Sequence, residues 1–181
     1  DGTGYGADST LALAPQLYTN SGEVANEPPP ACKHVCAHKD RLWLATGESR
    51  LFFSKLRVAG RGPEFSSAFY VDLPEAIHAT ASLDSTLVAF GESSIFLVLG
   101  EGPDNNGGGV AYGYQRLPGT VTTHAPATIT STPAGVMFLA CKRVLTVGAA
   151  LEYLTDGFYI LNRAYQIKKI GAPLMREFTG H

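Results

Sequence analysis

"LWLATGESRLFFS" (residues 42–54) reads as two short apolar strands folded about a Gly-Glu-Ser turn. Leucine, aromatic and β-branched residues suit a pleated, half-buried surface, and glycine with small polar residues marks the reversal. The pattern recurs in "LVAFGESSIFLV" (87–98), where Gly91 stands 44 residues after Gly47. A third segment, "VMFLACKRVLTV" (136–147), places Ala140 where those glycines stand, 49 residues further on. Paired strands repeating every ~40–50 residues are the size of a propeller blade. Closed propellers have at least about four blades, so three repeats predict either a ring completed by further chain or sheets that stack some other way.

Working outward, the same strand chemistry covers most of the chain. "RLWLA" (41–45), "RLFFS" (50–54), "FYVDL" (69–73), "STLVAF" (85–90), "SSIFLVL" (93–99), "GVMFLA" (135–140) and "GFYILNR" (157–163) are each bounded by Gly, Pro, Asp, Asn or Ser. No window sustains a helical apolar period with caps. The nearest, "EAIHATASL" (75–83), reads either as a turn of helix or as another strand. The expectation is an all-β, β-propeller-like fold of repeated antiparallel hairpins with little helix. Residues 1–31 form a loop-rich N-terminal segment, and 32–181 a β-blade domain with hairpins near 42–54, 87–98 and 136–163. "GEGPDNNGGG" (100–109) reads as a mobile loop by its Gly and Asn content. Leu42, Trp43, Leu44, Phe52, Leu87, Phe90, Phe96, Leu97 and Phe138 are expected in the core.

Composition narrows the function classes. Hydrophobic residues make up 45% of the chain and charged residues 17%, which argues against disorder. The net charge of −2 and the absence of any basic block longer than Lys168-Lys169 argue against a sequence-reading nucleic-acid domain. No apolar run reaches the ~20 residues of a membrane helix. The chain starts at Asp1 without a signal-peptide pattern, which reads as a processed or excised piece. Three cysteines, an odd number, argue weakly against a secreted disulfide scaffold.

The segment "CKHVCAHKD" (32–40) offers Cys32, His34, Cys36 and His38, the ligand types of structural zinc. On one strand all four share a face, yet at ~3.3 Å per residue Cys32 and His38 lie roughly 20 Å apart. Zinc gathers ligands at ~2.0–2.3 Å, so a single strand cannot close the site, and Cys141 or His124 would have to contribute. They read as half-buried strand residues. Ser49 and Ser93 follow Gly-Glu but lack the second glycine and the helix of a nucleophile elbow. The 100–109 loop lacks the Lys-Ser/Thr of a phosphate loop, and its consecutive Asp104, Asn105 and Asn106 do not match the alternating oxygen ligands of an EF-hand. Glu48, Glu64, Asp84 and Glu92 form no pair with acid–base spacing. No catalytic, cofactor-binding or metal residue is assigned, and the chain reads as a non-enzyme.

The order of segments carries a resemblance. "LYTNSG", "NEPPPACKHVCAHKDRLWLA", "LFFSK", "GPEFS", "LDSTLVAF", "SIFLVLGEGPDNNG", "TPAGVMF" and "GFYILNRAYQIKKIGAP", spanning roughly residues 17–175, resemble the propeller-type tail proteins of short-tailed phages, the tail nozzle group among them. The resemblance implies a virion structural protein of the phage tail, made of β-blades. It implies copies of itself in a ring and contacts with other tail or portal-adapter proteins. Double-stranded DNA would pass through the channel without sequence-specific binding. In one respect the chain departs from the pattern. Between the "GVMF" and "GFYIL" strands stands "LACKRVLTVGAALEYLTD" (139–156), where a short turn is the norm, which implies an added strand pair or a protruding arm.

Two other readings stay open. A host-recognition module would bring loop 100–109 with Tyr112 and Tyr114 onto a surface glycan. A propeller enzyme would carry its catalytic residues in blades outside this sequence.

Overall fold

The computed structural model describes residues 22–119, 121–145 and 151–170. Residues 1–21 of the loop-rich segment and 171–181 of the blade domain lie outside the described residues. What is described is all-β: three four-stranded antiparallel sheets, each a simple meander in chain order. Sheet I holds β1 (His34–His38), β2 (Arg41–Ala45), β3 (Arg50–Phe53) and β4 (Tyr70–Asp72). Sheet II holds β5 (Ile77–Leu83), β6 (Thr86–Gly91), β7 (Ile95–Leu99) and β8 (Gly113–Arg116). Sheet III holds β9 (Thr130–Thr132), β10 (Gly135–Leu145), β11 (Leu151–Asn162) and β12 (Ile167–Ile170). A 3-10 turn, Pro126–Thr128, precedes β9.

The sheets stack face to face through two cores. Trp43, Ala45, Leu51, Phe53 and Val71 of sheet I meet Leu87, Ala89, Phe96 and Val98 of sheet II. Val88, Phe90, Ile95 and Leu97, on the opposite face of sheet II, meet Val136, Phe138, Ala140 and Leu161 of sheet III. Sheet II is therefore covered on both sides, and all six residues of β6 are buried. This explains why "IHATASL" shows no clean alternation: a strand enclosed on two faces carries small or apolar residues at every position. It is β5, a strand and not a helical turn. The sheets converge at one edge, where β5 lies against both β1 and β9.

Two expectations need correction. Leu42 and Phe52 are half-buried, while Trp43, Leu44, Leu87, Phe90, Phe96, Leu97 and Phe138 are enclosed. Side chains alternate along a strand, so with Trp43 and Phe53 turned to sheet II, Leu42 and Phe52 point away from it. The third hairpin does not reverse at Ala140. β10 runs on to Leu145 and pairs with β11 as far as Leu151, with only a bulge between Ala140 and Cys141. No residue there supplies a turn conformation, so the ladder continues. The 139–156 segment thus extends β10 and β11 into one long hairpin, an arm, and its residues 146–150 lie outside the described residues.

Candidate functional site

The two terminal sheets each present an apolar row on the face turned away from sheet II. On the outward face of sheet I the pairing aligns Val35, Leu44, Phe52 and Tyr70 in one row across all four strands. Val35 remains 50% exposed and Tyr70 38%, while Leu44 is covered by its neighbours. Arg50 edges the row: its Nε donates to Asp72 Oδ1 at 2.9 Å, and its guanidinium lies 3.8 Å above the Tyr70 ring. On the outward face of sheet III, Leu139, Phe158 and Ile170 form a matching row, with Met137 and Ile160 beside it. Phe158 is 46% exposed. Apolar rows of this kind cover sheet II completely, whereas on sheets I and III they meet no further sheet among the described residues. Covering such a row would remove apolar surface from water.

The Cys/His strand has its own structural task. His34, Cys36 and His38 of β1 face β5 across the sheet I–sheet II seam. Thr80 N–H donates to His34 Nδ1 at 3.2 Å, and His38 Nδ1 lies 2.8 Å from Ser82 Oγ. Burial holds both imidazoles below the ordinary histidine range and pushes the Cys36 thiol up. These side chains are neutral and engaged with Thr80 and Ser82, and Cys32 is exposed.

Loop 100–109 carries its own set of contacts. Asp104 Oδ1 accepts the Asn106 and Gly108 amides at 2.9 and 2.8 Å, closing the turn on itself. Asn105 holds Leu56 through both ends of its amide, at 2.7 and 3.2 Å. Arg41, 2% exposed, donates to the carbonyls of Ser54 and Pro103. Its guanidinium sits over Phe53 at 5.0 Å, Phe69 at 5.8 Å and Tyr112 at 5.9 Å. Tyr112, half-buried, packs edge-on to Trp43 at 4.8 Å and belongs to this aromatic box. Tyr114 is 47% exposed. A groove of about 470 Å³ beside the box is lined in part by Lys55, Arg61, His38 and Glu64. Lys55 is already paired with Glu23 and Glu64, and Arg61 with Glu23.

The remaining polar residues separate cleanly. Ser93 Oγ donates to Glu75 Oε2 at 2.7 Å. Ser49 accepts the Leu73 amide through its carbonyl at 2.9 Å. Asp84 pairs with Arg163 at 3.0 Å, tying the β5–β6 turn to the β11–β12 turn. Glu48 is exposed. Glu92 joins His78 and His124 in a cluster that sequence reasoning missed, since three separate segments supply it. Comparison of the chain with models of known protein families and with curated protein sequences finds no match.

Proposed function

We propose that the chain is a virion structural component of a short-tailed phage, an arc of a β-propeller that assembles around a channel for double-stranded DNA, in the manner of a tail nozzle. The carrying observation is the contrast between sheet II, enclosed on both faces, and sheets I and III, each with an outward apolar row. Successive four-stranded meanders converging on their first strands suit propeller blades, and an arc of three calls for further blades on both sides. Copies of the chain, or neighbouring tail and portal-adapter proteins, supply them. Contact between the two unlike end faces is heterologous, the kind that closes rings.

The first strands support a channel wall. "HVCAH", "IHATASL" and "TST" contain no Lys, Arg, Asp or Glu. Each phosphate neutralised by Lys or Arg adds affinity, so a wall without them lets a duplex slide. The role has no catalytic step.

Sedimentation velocity on the full-length chain over a concentration series tests assembly. Discrete ring-sized oligomers are expected; a monomer at every concentration contradicts the proposal.

A further inference from the structure

The β5–β6 ladder carries one irregularity. Ile77 opposes Gly91 and Ala79 opposes Phe90, which leaves His78 without a partner across the pair. A residue bulged from a ladder is re-aimed, and His78 turns to Glu92, its Nε2 2.8 Å from Oε2. A third side chain arrives from the segment connecting sheets II and III. The His124 ring lies against that of His78 with centroids 4.5 Å apart, and its Nε2 is 3.0 Å from the Glu92 carbonyl oxygen. One nitrogen of each ring and one Glu92 carboxylate oxygen lie within 4.8 Å of one another.

We propose that His78, Glu92 and His124 bind a divalent first-row transition ion, zinc being the fitting occupant, and that the ion clamps the end of sheet II to the segment leading into sheet III. Two imidazoles and one carboxylate are an established three-ligand zinc set with a fourth position open. Imidazole selects zinc and its neighbours over calcium or magnesium, which take oxygen ligands. At bond lengths of ~2.0–2.2 Å, tetrahedral ligand atoms stand about 3.3 Å apart. All three side chains are only half-buried.

A His78–Glu92 ion pair alone leaves one feature unexplained, the carboxylate of Glu75. Its Oε2 accepts from Ser93 N and Oγ at 3.0 and 2.7 Å, but its buried Oε1 has no hydrogen-bond partner among the described residues. A Cβ at position 91 would stand 2.6 Å from that oxygen, so Gly91 is what admits a second carboxylate beside Glu92. Two carboxylates beside two imidazoles make a site where a dication offsets the negative charge.

The scaffold is set before any ion arrives. Thr122 Oγ1 donates to Gly91 O at 2.7 Å, and Cys141 N–H donates to Thr122 O at 2.9 Å. The segment carrying His124 is thereby fixed to sheets II and III together, so little ordering remains to oppose binding.

The test uses the full chain, stripped with a chelator and titrated with zinc by calorimetry and with cobalt by visible absorption. One ion per chain is expected, with tetrahedral cobalt bands and a melting temperature that rises with free zinc. His78→Gln and His124→Gln should abolish binding, and Glu75→Gln should weaken it ~10–100-fold, as loss of an outer partner does. Circular dichroism of the metal-free variants reports whether they fold, and Glu92→Gln, the mildest change of a ligand, stands in if either histidine variant does not. The double variant Cys32→Ser/Cys36→Ser should bind as the parent does. Absence of stoichiometric binding overturns the proposal, as does binding that survives in the ligand variants and disappears in the cysteine variant.

Discussion

Phe158→Ala separates folding from assembly. Phe158 is 46% exposed on the outward face of sheet III. An aromatic side chain carries roughly 200 Å² of surface, so about 90 Å² of it remains for a partner sheet to cover. At ~25 cal/mol per Å², that surface is worth about 2 kcal/mol of association. The variant should therefore weaken each contact by ~30-fold. Its cost to folding should be about half that of Phe90→Ala, which truncates a fully enclosed ring at ~3–5 kcal/mol. Urea melts of the dilute chain give the folding term, and sedimentation equilibrium gives the association term. Association unchanged within about threefold, or a folding loss as large as that of Phe90→Ala, would refute the assignment of this face.

Further outcomes follow from single positions. Trp43 is fully buried between Phe53 at 5.0 Å and Tyr112 at 4.8 Å, and Trp43→Ala should cost ~3–5 kcal/mol in a denaturant melt; a loss below about 1 kcal/mol contradicts its place. Gly135 has φ +142°, and a Cβ there would stand 2.1 Å from the Leu161 carbonyl oxygen, so Gly135→Ala should lower stability by more than about 2 kcal/mol. His34 and His38 have folded proton affinities below the ordinary value of 6.5, so the native state binds fewer protons than the unfolded one. Their contribution is complete above pH 6.5 and declines as pH falls through it, by up to about 1.4 kcal/mol per pH unit for each group. His38→Gln should flatten the stability–pH curve just below about pH 6.5; an unchanged slope there contradicts the seam.

The strands legible in the sequence are those whose own side chains build the cores. "RLWLA" corresponds to β2, and the runs at 50–54, 85–90 and 93–99 to β3, β6 and β7. β8 (GYQR) is exposed along its whole length, and β9 (TST) and β12 (IKKI) carry little that marks a strand. A neighbouring ladder recruits them, and single-strand chemistry does not show that. The β1–β2 turn is made by Lys39 and Asp40, both with positive φ, where glycine or asparagine is the usual signal. The contacts of 100–109 come from Asp104 itself, Arg41 and Leu56, and the glycine and asparagine content does not show them. The His78–Glu92–His124 cluster was hidden for a similar reason. A bulge aims His78, and Glu92 and His124 are 32 residues apart in the chain. The terminal apolar rows require the strand register, which no run of residues states alone.

The most direct measurement is quantitative peptide mass spectrometry of virions purified from the source of this sequence, following the tryptic peptide "LWLATGESR" (42–50). The account predicts that peptide at a fixed, low ratio to the major capsid protein, the ratio giving the number of copies around the channel. Its absence from intact particles would contradict the structural role.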